Sequence, residues 1–216
     1  MPQGRKLTHA ERSLWEYVFG KALTEANVEV VRRPRTMHSG GFTPYCRVNM
    51  DGNAYQADYF RDDDMFRPRS AADAHHFLHE LSHCWQHLVG MGMLHLSRLA
   101  QREGREVREA NGMARRPAGM TRQDWRDVKF ESVYHYDITA GSDLMDFTLE
   151  HQCDIIADYF AWTLWRFPLS AKAWGYPTPT QIQLETVLSA FRANPSYPRY
   201  LTRINKARAD WRNVER

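Results

Sequence analysis

Four histidines recur at every fourth position, His75, His79, His83 and His87, inside a segment whose apolar residues Ala74, Phe77, Leu78, Leu81 and Trp85 keep helical spacing. Such a stripe constrains the fold strongly. A helix over residues 70–89 buries one face in a core and presents a second, imidazole-bearing face that needs a polar or metallic partner. Ser70, with Asp73 three residues later, starts this helix, and Gly90 and Gly92 end it.

Within the stripe only one pair carries a glutamate directly after its first histidine: His79-Glu80-Leu81-Ser82-His83. The four-residue step stacks two imidazoles about one turn apart, so both reach one ion. Glu80 lies to the side of that face, where a carboxylate serves as general base and proton shuttle. The pattern is specific for zinc hydrolysis of peptide bonds when it sits on a helix. Three of the four histidines cannot share a metal, because residues eight apart are separated by about 12 Å along the axis. His75 and His87 are therefore read as polar neighbours.

A catalytic zinc needs a third protein ligand and an open position. The segment Glu150-His151-Gln152-Cys153-Asp154 supplies the candidates. Glu150 and Asp154 share a helix face. Glu150 is placed as ligand and Asp154 as acceptor for the N–H of a liganding imidazole, His79. His151 competes with Glu150, whereas Cys84 and Cys153 are read as small core residues. Asp158 extends the same face by a turn. For an oxyanion donor the candidates are Tyr134, His135 and Tyr136, in Val133-Tyr134-His135-Tyr136-Asp137; Tyr134 or His135 is favoured, and spacing does not choose between those two. Trp85, Trp162 and Trp165 are read as core.

The remainder of the chain gives an α+β fold, mostly helical, with a small sheet on the N-terminal side. Thr8 to Glu11 form a capping box that opens a helix stopped at Gly20. Residues 27–31 read as a strand, and residues 45–50 and 54–60 as two strands around Asp51-Gly52-Asn53. Residues 61–68 read as a polar connection. A long helix is expected over 143–167, another from Thr178-Pro179 to about Arg192, and a short basic one at the C-terminal end. Residues 91–120 read as a solvated insertion or lid within a single domain spanning 1–216.

Composition excludes several classes. Over 216 residues, 43% hydrophobic and 25% charged is a globular balance. A net charge of +3 without a basic aromatic pattern argues against nucleic acid. Three cysteines without a CxxC pair argue against a disulfide framework or a structural zinc site. There is no apolar run of membrane-spanning length. Residues 1–20 do not form a classical signal peptide, so synthesis in the cytoplasm is expected.

The motif residues 79–86, with Tyr134 to Asp137 and the segment from Glu150 through Asp154 to Phe160, resemble the zinc metallopeptidase domains attached to Rhs and VgrG proteins of bacterial type VI secretion systems. Leu7-Thr8, Val18-Phe19-Gly20, Met37 and Thr43-Pro44 also fit that pattern. The order, HExxH followed by ExxxD, is gluzincin-like. The resemblance implies a zincin-like fold with two metal-binding helices, and Zn2+ held by His79, His83 and Glu150 with Glu80 as the catalytic carboxylate. It also implies an antibacterial effector, or toxin, passed into a target cell by type VI secretion. A Rhs- or VgrG-type delivery protein and a cognate immunity protein would be its partners. The substrate would be a protein or a peptidoglycan stem peptide. Two other readings stand beside it: a zinc-organised binding module without catalysis, and a cytosolic housekeeping peptidase.

Overall fold

The computed structural model describes residues 4–21, 28–32, 43, 46–91, 109, 118–121, 136–167 and 178–198. Helix α1 (His9–Phe19) starts where expected. The Thr8 hydroxyl accepts from the Glu11 amide, and the Glu11 carboxylate accepts from the Thr8 amide. Gly20 ends it at φ +75°, a conformation that a side chain disfavours. Glu11 is fully buried yet well satisfied, because Arg5 grips both its oxygens at 2.6 and 2.7 Å. That fork ties β1 (Arg5–Lys6) to α1.

Strand β1 pairs antiparallel with β2 (Glu29–Arg32), which pairs in parallel with β3 (Arg47–Met50). Val30 lies opposite Val48, and both are fully buried. The expected hairpin around Asp51-Gly52-Asn53 does not form. The Asp51 carboxylate accepts from the amides of Asn53 and Ala54, and its carbonyl accepts from Tyr55. This winds the chain into a turn that leaves the sheet. The segment read as a polar connection forms the hairpin instead: β4 (Phe60–Arg61) pairs with β5 (Asp64–Pro68). Its two-residue turn, Asp62-Asp63, takes φ of +53° and +55°. Both values belong to a mirror-image hairpin turn, which aspartate tolerates better than most residues.

Helix α2 (Ala71–Leu88) is capped by the Ser70 hydroxyl, which accepts from the Asp73 amide, and is followed by Gly90 at φ +94°. Helix α3 (Leu149–Trp165) begins later than the sequence suggests. Two successive caps divide the stretch: Asp143 caps a single 3-10 turn (Leu144–Asp146), then Thr148 caps α3 through the His151 amide. Every residue from His151 to Ala161 is buried, which makes α3 the central helix. The last expected helix is capped by Thr180, not Thr178, and is broken at Leu188 into α4 (Gln181–Val187) and α5 (Ser189–Ala193). The short basic helix expected at the C-terminal end lies outside the described residues, as does most of 91–120.

The core holds α2 rigidly. Trp85 is fully buried, stacks on Phe19 at 6.4 Å and meets the edge of Phe191 at 5.1 Å, and its indole N–H donates to the Pro195 carbonyl at 2.7 Å. Tyr59 stacks on Phe77 at 4.1 Å. Each Phe-sized side chain buried in this way is worth about 1.5–3 kcal/mol. Trp165 is half-buried, packing on Phe60 and donating to the Met65 carbonyl, and Trp162 lies beneath Arg166. Cys46, Cys84 and Cys153 are buried free thiols. Among the described residues no helix is long and apolar enough to cross a membrane. The architecture is α+β and mostly helical, with the candidate ligands on two packed helices.

Candidate metal centre

The imidazole face of α2 lies against the carboxylate face of α3, antiparallel and in step. His75 Nε2 meets Asp158 Oδ1 at 2.7 Å, and His79 Nδ1 meets Asp154 Oδ1 at 2.9 Å. One turn further, Glu150 stands opposite His83, with Oε2 3.3 Å from His79 Nε2 and 3.4 Å from His83 Nε2. Each four-residue step along α2 is met by a four-residue step back along α3. Both sets of polar groups are largely removed from water; His79 is 7% exposed and Asp154 5%.

The distances separate two kinds of contact. Hydrogen bonds from a ring nitrogen to a carboxylate run at about 2.7–2.9 Å, as the His75–Asp158 and His79–Asp154 contacts do. The Glu150 contacts are longer. A tetrahedral ion with nitrogen and oxygen bonds of about 2.0–2.1 Å sets its ligands about 3.3–3.4 Å apart. Each imidazole Nε2 therefore stands from the shared Glu150 oxygen at the spacing of two ligands on one such ion. The Nδ1 of His79 donates to Asp154, which leaves its Nε2 lone pair for an ion.

A second grouping overlaps the first. His79, His83 and Cys153 place ligand atoms within 4.8 Å of one another and could hold a metal ion. Cys153 Sγ sits 3.3 Å from Nδ1 of His83, so it meets that ring on the edge away from Glu150. Both groupings contain the histidine pair of an HExxH-type metal site and differ in the third donor.

Charge follows this geometry. Burial works against a proton on His79, yet the Asp154 charge and hydrogen bond, joined by Glu150, raise its pKa well above 6.5. Burial opposes a proton on His83 as well. Cys153 as a thiolate and Glu150 as a carboxylate favour it, and the net shift is again well upward. Burial raises the pKa of Cys153 itself, so near neutrality it is a thiol and Glu150 is the charge that acts. Glu150 in turn is held far below the usual carboxylate range: burial opposes this, but the charge of His83 and the hydrogen bonds of both histidines win.

Glu80 is buried beside this pair. Its Oε2 accepts from the Thr43 hydroxyl at 2.5 Å, and its Oε1 lies 3.7 Å from His76 Nε2. Burial favours its neutral form, but His76, then the charges of His83 and His79, keep its pKa lowered and the carboxylate ionised. Sequence placed Thr43 only among the residues that fit the family pattern, without a role, and did not single out His76, which was discoverable as the residue four before Glu80 on the same helix.

The structure thus gathers His79, Glu80, His83, Glu150 and Asp154 at one place. It directs His151 elsewhere, its ring 6.2 Å from that of Tyr136. His75 belongs to a separate contact with Asp158, whose other oxygen accepts from the Tyr136 hydroxyl at 2.6 Å. Burial, then the Asp158 charge, push the Tyr136 pKa well up, so the phenol stays a donor. Tyr134 and His135 lie outside the described residues. Comparison with family models, curated proteins and solved structures returns no match.

Proposed function

We propose that this chain is a zinc-dependent peptidase. One observation carries the reading: Nε2 of His79 and Nε2 of His83 converge on a single Glu150 oxygen at 3.3 and 3.4 Å, with an ionised, buried Glu80 alongside. Two imidazoles and one carboxylate are a donor set that suits zinc. Bound there, zinc supplies Lewis acidity toward a peptide carbonyl and makes water acidic. The protein's own groups do the rest. Asp154 keeps the His79 ring oriented, and Thr43 and His76 hold the Glu80 carboxylate in place. Glu80 takes the proton from the attacking water and hands it to the leaving amine. Tyr134 or His135 is the proposed donor to the oxyanion.

The likeness of the motif segments to type VI secretion metallopeptidase domains supports a biological role. In this role the chain is an antibacterial effector, carried by a Rhs- or VgrG-type protein and neutralised by an immunity protein in the producing cell. Its substrate is a protein or a peptidoglycan stem peptide. Metal analysis after chelator-free purification should find about one zinc per chain, lost in a His79→Ala/His83→Ala variant. Glu80→Gln should retain zinc while losing proteolysis and toxicity. Proteolysis that survives Glu80→Gln with zinc bound refutes the peptidase reading. Zinc binding without hydrolysis of casein or purified sacculi by the wild type points to a binding module instead.

A further inference from the structure

Beyond Glu150 the two helices are joined by amides, and the direction of each hydrogen bond is set by backbone carbonyls. Gln152 Nε2 donates to the Phe147 carbonyl at 3.0 Å. Its Oε1 therefore faces the other way and accepts from Gln86 Nε2 at 3.0 Å. Gln86 Nε2 also donates to the Leu149 carbonyl at 2.9 Å. Gln86 Oε1 is thereby turned toward Nδ1 of His83, 3.0 Å away. Rotating either amide by half a turn would set oxygen against a carbonyl oxygen, which offers no proton. Gln86 and Gln152 are both buried, at 0% and 2% exposure, so water does not relieve the mismatch.

We infer that Gln86 and Gln152 form an amide relay that fixes His83 with its proton on Nδ1, reserves the Nε2 lone pair for the ion, and so selects Glu150 over Cys153 as the third donor. A Gln carbonyl oxygen can only accept, so the ring must donate from Nδ1. Cys153 approaches that same nitrogen at 3.3 Å, but a thiol is a weak donor and a weak acceptor and does not displace the amide. For Cys153 and His83 to share an ion through Nδ1, that hydrogen bond to Gln86 would have to break and strand a buried carbonyl. Gln86 and Gln152 are positioning residues acting through His83. The inference rests on the zinc-site reading, but the tautomer itself can be measured without metal.

The test uses the full-length chain with 15N-labelled histidine, metal-free, at a pH where titration of the resonances shows the imidazoles neutral. Two-bond nitrogen–proton correlations assign the proton of each ring. The wild type should show His83 with a protonated Nδ1. Gln86→Leu should shift His83 toward the other tautomer, and Gln152→Leu should do so partially. His79, held by Asp154, should not change in either variant. A wild-type His83 protonated on Nε2, or a tautomer indifferent to either substitution, overturns the relay. Gln152→Leu removes only the outer amide, so it remains informative if Gln86→Leu does not fold. Cobalt(II) provides the second readout. The wild-type complex should lack a thiolate charge-transfer band, and Gln86→Leu should gain one that Cys153→Ser abolishes; such a band in the wild type overturns the selection. Zinc affinity should fall roughly 10- to 100-fold in Gln86→Leu. A protein with the expected tautomer but no hydrolytic activity refutes the peptidase reading and leaves the relay intact.

Discussion

Replacing Asp154 by asparagine preserves shape and an acceptor oxygen but removes a negative charge 2.9 Å from His79 Nδ1. Two effects oppose each other. Without the carboxylate the ring is a poorer electron donor at Nε2, and loss of such an outer partner typically lowers metal affinity roughly 10- to 100-fold, or about 1.4–2.7 kcal/mol. Asp154 is almost fully buried, so solvent screens little of its charge and the upper part of that range is expected. The same carboxylate raises the pKa of His79, so in the wild type protons compete with the metal. Asp154→Asn weakens that competitor. The affinity loss should therefore be largest near pH 8, where His79 is closer to neutral, and should shrink towards pH 6. Competition against a chromophoric chelator at both values measures it, with circular dichroism to verify folding. Asp158→Asn is the control, because Asp158 bonds His75 and Tyr136 instead of the convergent pair, and its affinity should change less than about threefold. An unchanged affinity at pH 8, or a loss that grows on acidification, refutes the assignment of Asp154.

The metal-free protein should have a stability maximum on the acidic side of neutrality. Raised pKa values of His79 and His83 contribute stability fully present below 6.5 and lost as pH climbs through their folded values. The depressed Glu150 contributes stability present above 4.5 and lost as pH falls through its folded value. Thermal midpoints of the metal-free chain should thus decline on the alkaline side, while the gain on adding zinc grows there; a midpoint rising from pH 6.5 to 8.5 without metal contradicts this. Thr148→Ala removes the cap of the helix whose first turn carries Glu150. It should cost about 1 kcal/mol and about 2–4 °C in thermal midpoint, and an unchanged calorimetric midpoint would count against the cap.

Periodic features of this chain were legible from sequence. Helix α2 could be bounded because Ser70, Asp73 and Gly90 carry local capping and stop chemistry, and its faces could be told apart by four-residue repetition. The helical faces of His79, His83, Glu150 and Asp154 were readable for the same reason. Features without a period were not. Strand β1 has two residues, too few to alternate. The β4–β5 hairpin turns on Asp62-Asp63, whose positive φ values lack the usual glycine signal. An aspartate, Asp51, that favours its own turn defeated the expected hairpin. Thr43 on Glu80 and the amides on His83 join residues distant in sequence through single polar atoms, a relation that leaves no pattern in a linear chain.

The in-step facing of histidines and carboxylates has a cost for folding. Every rung resembles its neighbours, so sliding α2 along α3 by one turn would again bring imidazole to carboxylate: His79 to Asp158, His83 to Asp154, His87 to Glu150. The polar ladder holds the helices together but is a nearly degenerate ruler, unable by itself to tell the native alignment from one displaced by four residues, about 6 Å. What breaks the degeneracy is aperiodic. Trp85 is anchored to the Pro195 carbonyl, Trp165 to that of Met65, and Gln86 to that of Leu149. These contacts have no equivalent one turn away. Lone anchors of this kind, more than the repeated charges, give the pair of helices a single alignment, and substitutions there should favour misregistered, compact species during refolding.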